Sequence, residues 1–415
     1  MSAPDLRNLR EAILAARERL ADALLVTPCV PAPQLSAELG AEVRIKCESL
    51  QRTGSFKPRG ALNMMLQLPA EDRRRGVVCA SAGNHAQAVA FAAARLGAPA
   101  LIVMPETTPL VKVSNTRRWG AEVVLHGAAF DDATERAREL QHERGLTYVH
   151  AFDDEQVIAG QGTVGLELLE QFPELDTVVA PIGGGGLISG IAQAVKGERP
   201  GARVYGVQTE ACPSMERSFR TGQLVADKPA PSIAEGITVK TPGGITVELV
   251  RQLVDDVVLV SEIGIEGGVF RLLETNKLVA EGAGAAAFTA LLERRLPDLS
   301  GRHVAVILSG GNIDLNMLLR IVERALARHH RLTRLRLTIG DRPGSLAAAL
   351  AIVARVGASV VTIEHNRFFT DASFWETEIE LTLETRDAEQ VAELLESLRT
   401  AGYTRIEQPD LRLFG

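Results

Sequence analysis

The sequence predicts an α/β protein whose main part is built on parallel sheets, followed by a smaller ferredoxin-like unit. Three observations carry this. Short apolar runs alternate with helix-length segments over most of the 415 residues, the pattern of strands covered by helices on both faces. Several runs end in glycine-bearing turns, at the strand ends where open α/β sheets place ligand loops. After "ALARHHRL" the order changes to strand, helix, strand, strand, helix, strand, which is a split βαβ unit.

The elements follow in order. "AEVRIKCESL" reads as a strand, with a helix from Pro58. "GVVCASAGN" is a strand and turn, and "HAQAVAFAAARLG" a helix closed by glycine. "PALIVMP" and "AEVVLHG" are strands, with "VKVSNTRRWG" a helix between them and "DDATERARELQHERG" a helix after them. "DTVVAPIGGGG" is an apolar strand entering a glycine loop before a further helix, and "HVAVILSGGN" repeats that arrangement. From Arg334, "RLRLTIG" is a strand, "DRPG" a turn, "SLAAALAIVARVG" a helix and "SVVTIEHNRF" a strand. "ETEIELTLE", "AEQVAELLESLRTAG" and a last short strand complete the unit.

Composition excludes several classes. A hydrophobic fraction of 46% and a charged fraction of 23% are those of a globular protein. The net charge of −7, with no basic tract, argues against a nucleic-acid binder. Cys29, Cys47, Cys79 and Cys212 form no CxxC pair, which disfavours a zinc knuckle or a disulfide framework and fits reduced thiols in the cytoplasm. The charged, amphipathic start lacks the apolar core of a signal peptide. No apolar stretch is long and clean enough to span a bilayer.

Four segments can carry chemistry. In "SFKPRG", Pro58 suits the first turn of a helix, so Lys57 stands at a helix N-terminus with its backbone direction constrained. The helix dipole disfavours positive charge there and favours the neutral amine that forms Schiff bases. An ordinary loop lysine satisfies the same hexapeptide. "SAGNHAQ" is a strand-to-helix turn whose N–H groups suit an anion, with Asn84 as either a two-way hydrogen-bonding group or a plain cap. The run Gly183, Gly184, Gly185, Gly186 allows close backbone approach and an anion nest; it is neither a P-loop nor GxGxxG. In "LSGGN", Ser309 ends an apolar strand and is either a hydroxyl for a ligand or a helix cap. An amine, an anion nest, an asparagine and a hydroxyl together fit the aldehyde, phosphate, phenolic oxygen and ring nitrogen of pyridoxal 5'-phosphate (PLP).

"SFKPRGA", "SAGNHAQ", "GQGTVGLELLEQ", "GGGGLISG" and "LSGGNID" occur in family order and spacing. They resemble the threonine dehydratase (threonine ammonia-lyase) and serine racemase branch of fold-type II PLP enzymes, over roughly residues 15–320. The tail resembles an ACT domain through "DRPGSL" and "IEHNR". The resemblance implies a two-domain, tryptophan synthase β-like core. Residues 1–47 and 153–324 would form its large domain, 48–152 its small domain, 325–332 a linker and 333–415 the ACT-like regulatory domain.

Roles implied by the resemblance follow residue by residue. Lys57 would hold PLP through an imine, beside Phe56. Asn84 would meet the phenolic oxygen, and Gly183 to Leu187 the phosphate. Ser309 would face the ring nitrogen and Gly236 would border the ring. Ser81, Ala82, Gly83 and His85 would receive the substrate carboxylate. Racemases of this branch carry a serine where this chain has Ala82, which argues for dehydration over two-base racemisation. Gln208, Cys212 and Ser214 stand where racemases hold a divalent cation, so no metal is expected, although Glu210 lies close by. The implied activity is dehydration and deamination of L-threonine to 2-oxobutanoate and ammonia, and of L-serine to pyruvate. A serine racemase/serine dehydratase-type or other fold-type II β-elimination or β-replacement enzyme is the alternative. The tail implies an oligomer regulated by a branched-chain amino acid near Asp341, Arg342, Pro343 and Gly344.

Overall fold

The computed structural model describes residues 6–367 and 372–407. The chain divides by contacts into Met1–Ile313 and Asp314–Gly415. The N-terminal unit carries two sheets. In the first, β1 (Cys29–Pro31), β2 (Glu42–Cys47), β7 (Thr177–Pro181), β8 (Arg203–Thr209), β9 (Asp256–Val260) and β10 (His303–Leu308) lie in the order β1-β2-β10-β7-β8-β9. Only the β1–β2 pair of this sheet is antiparallel. The second is fully parallel and holds β3 (Val77–Ala80), β4 (Ala100–Met104), β5 (Glu122–Leu125) and β6 (Thr147–Tyr148), in the order β5-β4-β3-β6. It lies within the stretch 48–152 expected to form a small domain.

Every residue of β3, β4 and β7 is buried. This explains why these segments read as unbroken apolar runs rather than as alternating ones. One core packs Ile13, Ile158, Ile188 and Val250 around the six-stranded sheet; another packs Met65, Val89 and Ile102 against the four-stranded one. Their strands end in the turns that hold the candidate site. The helices Pro58–Leu66 and Glu155–Gln171 pack against each other, so the chain crosses from one sheet to the other beside the site.

The C-terminal unit contains β11 (Leu332–Gly340), β12 (Ser359–Asn366), β13 (Glu376–Glu384) and β14 (Ile406–Glu407), in the order β12-β13-β11-β14 and antiparallel throughout. Helices Ser345–Val356 and Ala388–Thr400 cover one face, which gives the expected ferredoxin-like order. Leu335, Leu337 and Ile339 of β11 alternate inward with Ile379, Leu381 and Leu383 of β13. A helix absent from the sequence reading, Leu315–Arg328, precedes β11, and its last turn overlaps the stretch 325–332 expected as a linker. Part of the expected strand "SVVTIEHNRF", from Phe368, lies outside the described residues. Among the described residues no helix is long and apolar enough to cross a membrane.

Candidate active site

Pro58 begins its helix and Lys57 is the N-cap, as the sequence predicts. The preceding loop is tied to the end of β10: Ser55 bridges Gly310, and the Phe56 N–H donates to the Ser309 carbonyl at 3.1 Å. Lys57 Nζ is half-buried, donates to the Ala151 carbonyl at 3.0 Å and lies 5.1 Å from the centre of the Phe56 ring. Burial lowers its pKa to about 8, against a smaller upward pull from Glu281. Loss of solvation is thus a local source of neutral amine that the sequence did not reveal.

Asn84 opens the helix Asn84–Leu96 after β3. Its Nδ2 donates to Glu281 Oε1 at 2.6 Å, and its Oδ1 accepts from Asn312 Nδ2 at 2.7 Å. Asn312 also donates to the Thr53 carbonyl at 2.7 Å. Burial raises the Glu281 pKa to about 7, opposed first by the hydrogen bond from Asn84. In the same turn the Gly83 N–H donates to Ser81 Oγ at 3.2 Å. Ala82 packs its methyl against the core of the smaller sheet. The His85 ring is buried, with Nε2 2.9 Å from the Val149 carbonyl, and burial drives its pKa down to about 3. That ring is neutral and committed to Val149, so the share of His85 left for an anion is its backbone N–H in the first helical turn.

The glycine loop leaves β7 and becomes the helix Gly186–Glu198. Gly185 takes φ 98°, a left-handed conformation that favours glycine. A methyl group on Gly184 would overlap the Phe152 ring, and one on Gly186 would lie 2.9 Å from the Phe152 carbonyl. On the other side, a methyl on Gly183 would lie 3.0 Å from the Gly236 carbonyl. Gly236 in turn neighbours Ala283 and Glu281. The predicted residues therefore close into a ring. Lys57 touches Ala151, Phe152 touches the glycine loop, the loop touches Gly236, and Glu281 leads back to Asn84 and Gly310. Ser309, buried at the end of β10, anchors the Lys57 loop.

These residues fit PLP. They bring together a partly deprotonated amine, a helix N-terminus of bare glycine amides, an oriented asparagine and a buried serine hydroxyl. Cys212 Sγ and Ser214 Oγ both donate to the Val239 carbonyl, at 3.3 and 2.6 Å, and Glu210 is ion-paired with Arg295 at 3.5 Å.

Sequence reading missed Glu281, Asn312 and the turn His150–Asp153. It also missed a buried ionic cluster two residues beyond Lys57. Arg59 binds Glu48 through Nε and Nη2, both at 2.8 Å, and Glu167 through Nη1 at 2.6 Å and Nη2 at 2.9 Å. Lys46 completes it, with Nζ 2.5 Å from Glu167 Oε2. Charged residues inside otherwise apolar segments ("KPRGAL", "LELLEQ", "AEGAGAAAF") were the signal available.

The chain matches the family described as pyridoxal-phosphate dependent enzyme over residues 20–310, and it belongs to that family. Its cofactor is PLP. The L-threonine ammonia-lyase of Thermotoga maritima is 48% identical over 369 residues, covering 89% of this chain and 92% of that protein. That of Geobacter sulfurreducens is 46% identical over 391 residues, covering 94% and 97%. Among solved structures, the processed threonine deaminase isoform 2 of Solanum lycopersicum superimposes with TM-score 0.73 at 37% identity, covering 78% of this chain and 89% of that one. Maize serine racemase gives TM-score 0.72 at 35% identity, covering 77% and 98%.

Proposed function

We propose that this chain is a PLP-dependent threonine ammonia-lyase that converts L-threonine to 2-oxobutanoate and ammonia, and L-serine to pyruvate. One observation carries the reading: Lys57 Nζ and the glycine loop are joined by consecutive residues, Ala151 and Phe152. An amine and an anion cradle bridged by two consecutive residues suit the two ends of one small cofactor.

Lys57, with Phe56 beside it, would hold the carbonyl carbon; Gly183 to Leu187 would hold the phosphate; Asn84 would meet the phenolic oxygen; Gly236 would border the ring; and Ser309 would face the ring nitrogen. Bound PLP supplies the electron sink that acidifies the substrate Cα–H. Once the substrate's own amine has taken its place on the cofactor, Lys57 Nζ, partly neutral at physiological pH, would be free to take the Cα proton. Ser81, Gly83 and the first-turn amides through His85 bind the substrate carboxylate and orient that C–H toward the amine. The Ser309 hydroxyl is too weak an acid to protonate the ring nitrogen. The β-hydroxyl would leave as water with the proton that Lys57 Nζ took from Cα. The released enamine takes up water and loses ammonia in solution. Ala82 offers a methyl group where racemisation would need a second acid–base group, so elimination prevails.

The ferredoxin-like unit serves as an ACT-type regulatory domain in a cytoplasmic homo-oligomer. Gly344, at φ 92°, turns the chain into the helix Ser345–Val356 after Asp341, whose carboxylate pairs with Arg367 at 3.0 Å. Isoleucine or valine is the effector, with Asp341, Arg342, Pro343 and Gly344 at its site. The expected domain limits stand as part of this proposal.

The test is ketoacid formation from threonine by purified protein and by Lys57→Ala. Wild type is expected to carry visible cofactor absorbance and to form 2-oxobutanoate without any added thiol, and Lys57→Ala to lose both. A variant that keeps both, or a wild type that needs a thiol nucleophile, defeats the proposal.

A further inference from the structure

His150 lies in the turn between the two sheets and belongs to none of the groups assigned above. Its Nδ1 accepts two backbone hydrogen bonds, from Phe152 N at 3.3 Å and Asp153 N at 2.8 Å. A nitrogen that accepts carries no proton, so the ring is the neutral Nε2–H tautomer. Its ring also meets Phe152 edge to face, with centroids 4.7 Å apart.

The turn held in this way has two outputs. On one side, the Ala151 carbonyl receives Lys57 Nζ at 3.0 Å. On the other, Phe152 packs against Gly184 and Gly186. Asp153 adds a second link to the glycine loop. Its carboxylate accepts from Gly244, Ile245 and Thr246 N–H at 3.0, 2.9 and 3.2 Å, and Thr246 Oγ1 donates to the Gly184 carbonyl at 2.6 Å.

We propose that His150 is a positioning residue: its Nδ1 lone pair folds the turn that keeps the Lys57 amine in register with the glycine cradle. Protonation at Nδ1 turns the acceptor into a donor and expels both N–H groups. The surroundings oppose this. Burial is the main cause of a lowered His150 pKa; Arg138 and Lys57 act in the same direction, while Asp153 and Asp154 oppose it. His85, which senses His150, is neutral, and Tyr148 presents its ring 6.3 Å away. The lock therefore holds at neutral pH and opens only in acid, below the ordinary histidine range.

The inference deepens the cofactor reading and rests on it. The test uses the full-length protein with His150→Asn and His150→Gln. Asparagine places an oxygen where Nδ1 stands; glutamine places its oxygen one bond further out. Asn is expected to keep PLP affinity and kcat within about threefold of wild type. Gln leaves two amides unpaired and is expected to lose about ten- to a hundredfold in both. All variants share the fall in PLP binding as Lys57 protonates below about 8; wild type should show a further loss below the ordinary histidine range, which Asn should lack because it has nothing to protonate there. Nitrogen-15 NMR of the apoprotein should show His150 protonated at Nε2 alone at neutral pH. Equal behaviour of Asn and Gln, the same further loss in Asn below the histidine range, or a proton on Nδ1 overturns the proposal. If both variants misfold, the NMR result still decides. PLP affinity and tautomer are read without substrate, so inactivity toward threonine would refute the proposed reaction and leave this inference standing.

Discussion

Arg59→Met isolates the buried ionic cluster beside Lys57. The substitution keeps most of the volume and removes six hydrogen bonds: two to Glu48, two to Glu167, one to Thr163 Oγ1 and one to the Leu25 carbonyl. Glu167 retains Lys46, whereas Glu48, fully buried, retains only Thr27 Oγ1 at 2.5 Å, together with the more distant charge of Lys46. Removing one member of a buried pair costs about 3–5 kcal/mol. At about 2.1 cal/mol/K per residue over the N-terminal unit, this lowers its melting temperature by roughly 5–8 °C. The pH dependence distinguishes this account from simple loss of packing. In wild type, burial pushes the Glu48 pKa up, but Arg59, Lys46 and Thr27 together bring it below its ordinary value of 4.5. Its stabilisation is thus present above that value and lost as pH falls through the lowered folded one. Without Arg59, burial prevails and the folded pKa lies above the unfolded one. Glu48 then disfavours folding as pH rises from about 4.5 toward neutrality, so the variant gains stability on mild acidification. The assay is unfolding of the apoprotein at pH 7 and pH 5.5, with Arg59→Met/Glu48→Gln as the control expected to recover part of the loss. A loss below about 1 kcal/mol, or a variant whose stability has the wild-type pH slope, refutes the reasoning.

Four further outcomes are expected. Gly184→Ala forces a methyl group into the Phe152 ring and should destabilise the apoprotein by about 1–3 kcal/mol; Gly83→Ala meets nothing within 4 Å and should leave its melting point nearly unchanged while raising KM for threonine. Equal melting points for these two variants would contradict the packing described. PLP uptake by apoprotein needs the neutral amine, so its rate should rise with pH through about 8, and a flat profile would contradict the Lys57 assignment. Asn84→Asp sets a second carboxylate against Glu281 and should weaken PLP binding about tenfold or more at pH 8, with partial recovery toward pH 6 as Glu281 protonates. Removal of the C-terminal unit should abolish the kinetic response to isoleucine; an identical response in full-length and truncated protein would contradict regulation there.

Much of the site was legible because its signals are local. Pro58 marks a helix start within one residue of Lys57, four consecutive glycines mark a close approach, and Asn84 follows directly on a strand-to-helix turn. The parallel sheets were legible for a related reason, since β3, β4 and β7 are buried on both faces and read as apolar runs. What stayed hidden depends on distant pairing. Asn84 meets Glu281 197 residues away, and Lys57 meets Ala151 94 residues away. His150 in "VHAFDD" looks like any turn histidine until its Nδ1 is seen to accept two amides. The helix Leu315–Arg328 follows the "LSGGNID" turn without a break, capped by Asp314 from within that motif, so only its amphipathic repeat marks it in the sequence.

The account's central claim is that one amine, at position 57, holds the cofactor whose phosphate lies in the glycine loop. Borohydride reduction of the holoenzyme, followed by peptide mass spectrometry, tests it most directly. The account predicts a reduced pyridoxyl group on the peptide containing Lys57 and on no other lysine. Its appearance on a different lysine, or full retention of PLP with no adduct at all, contradicts it.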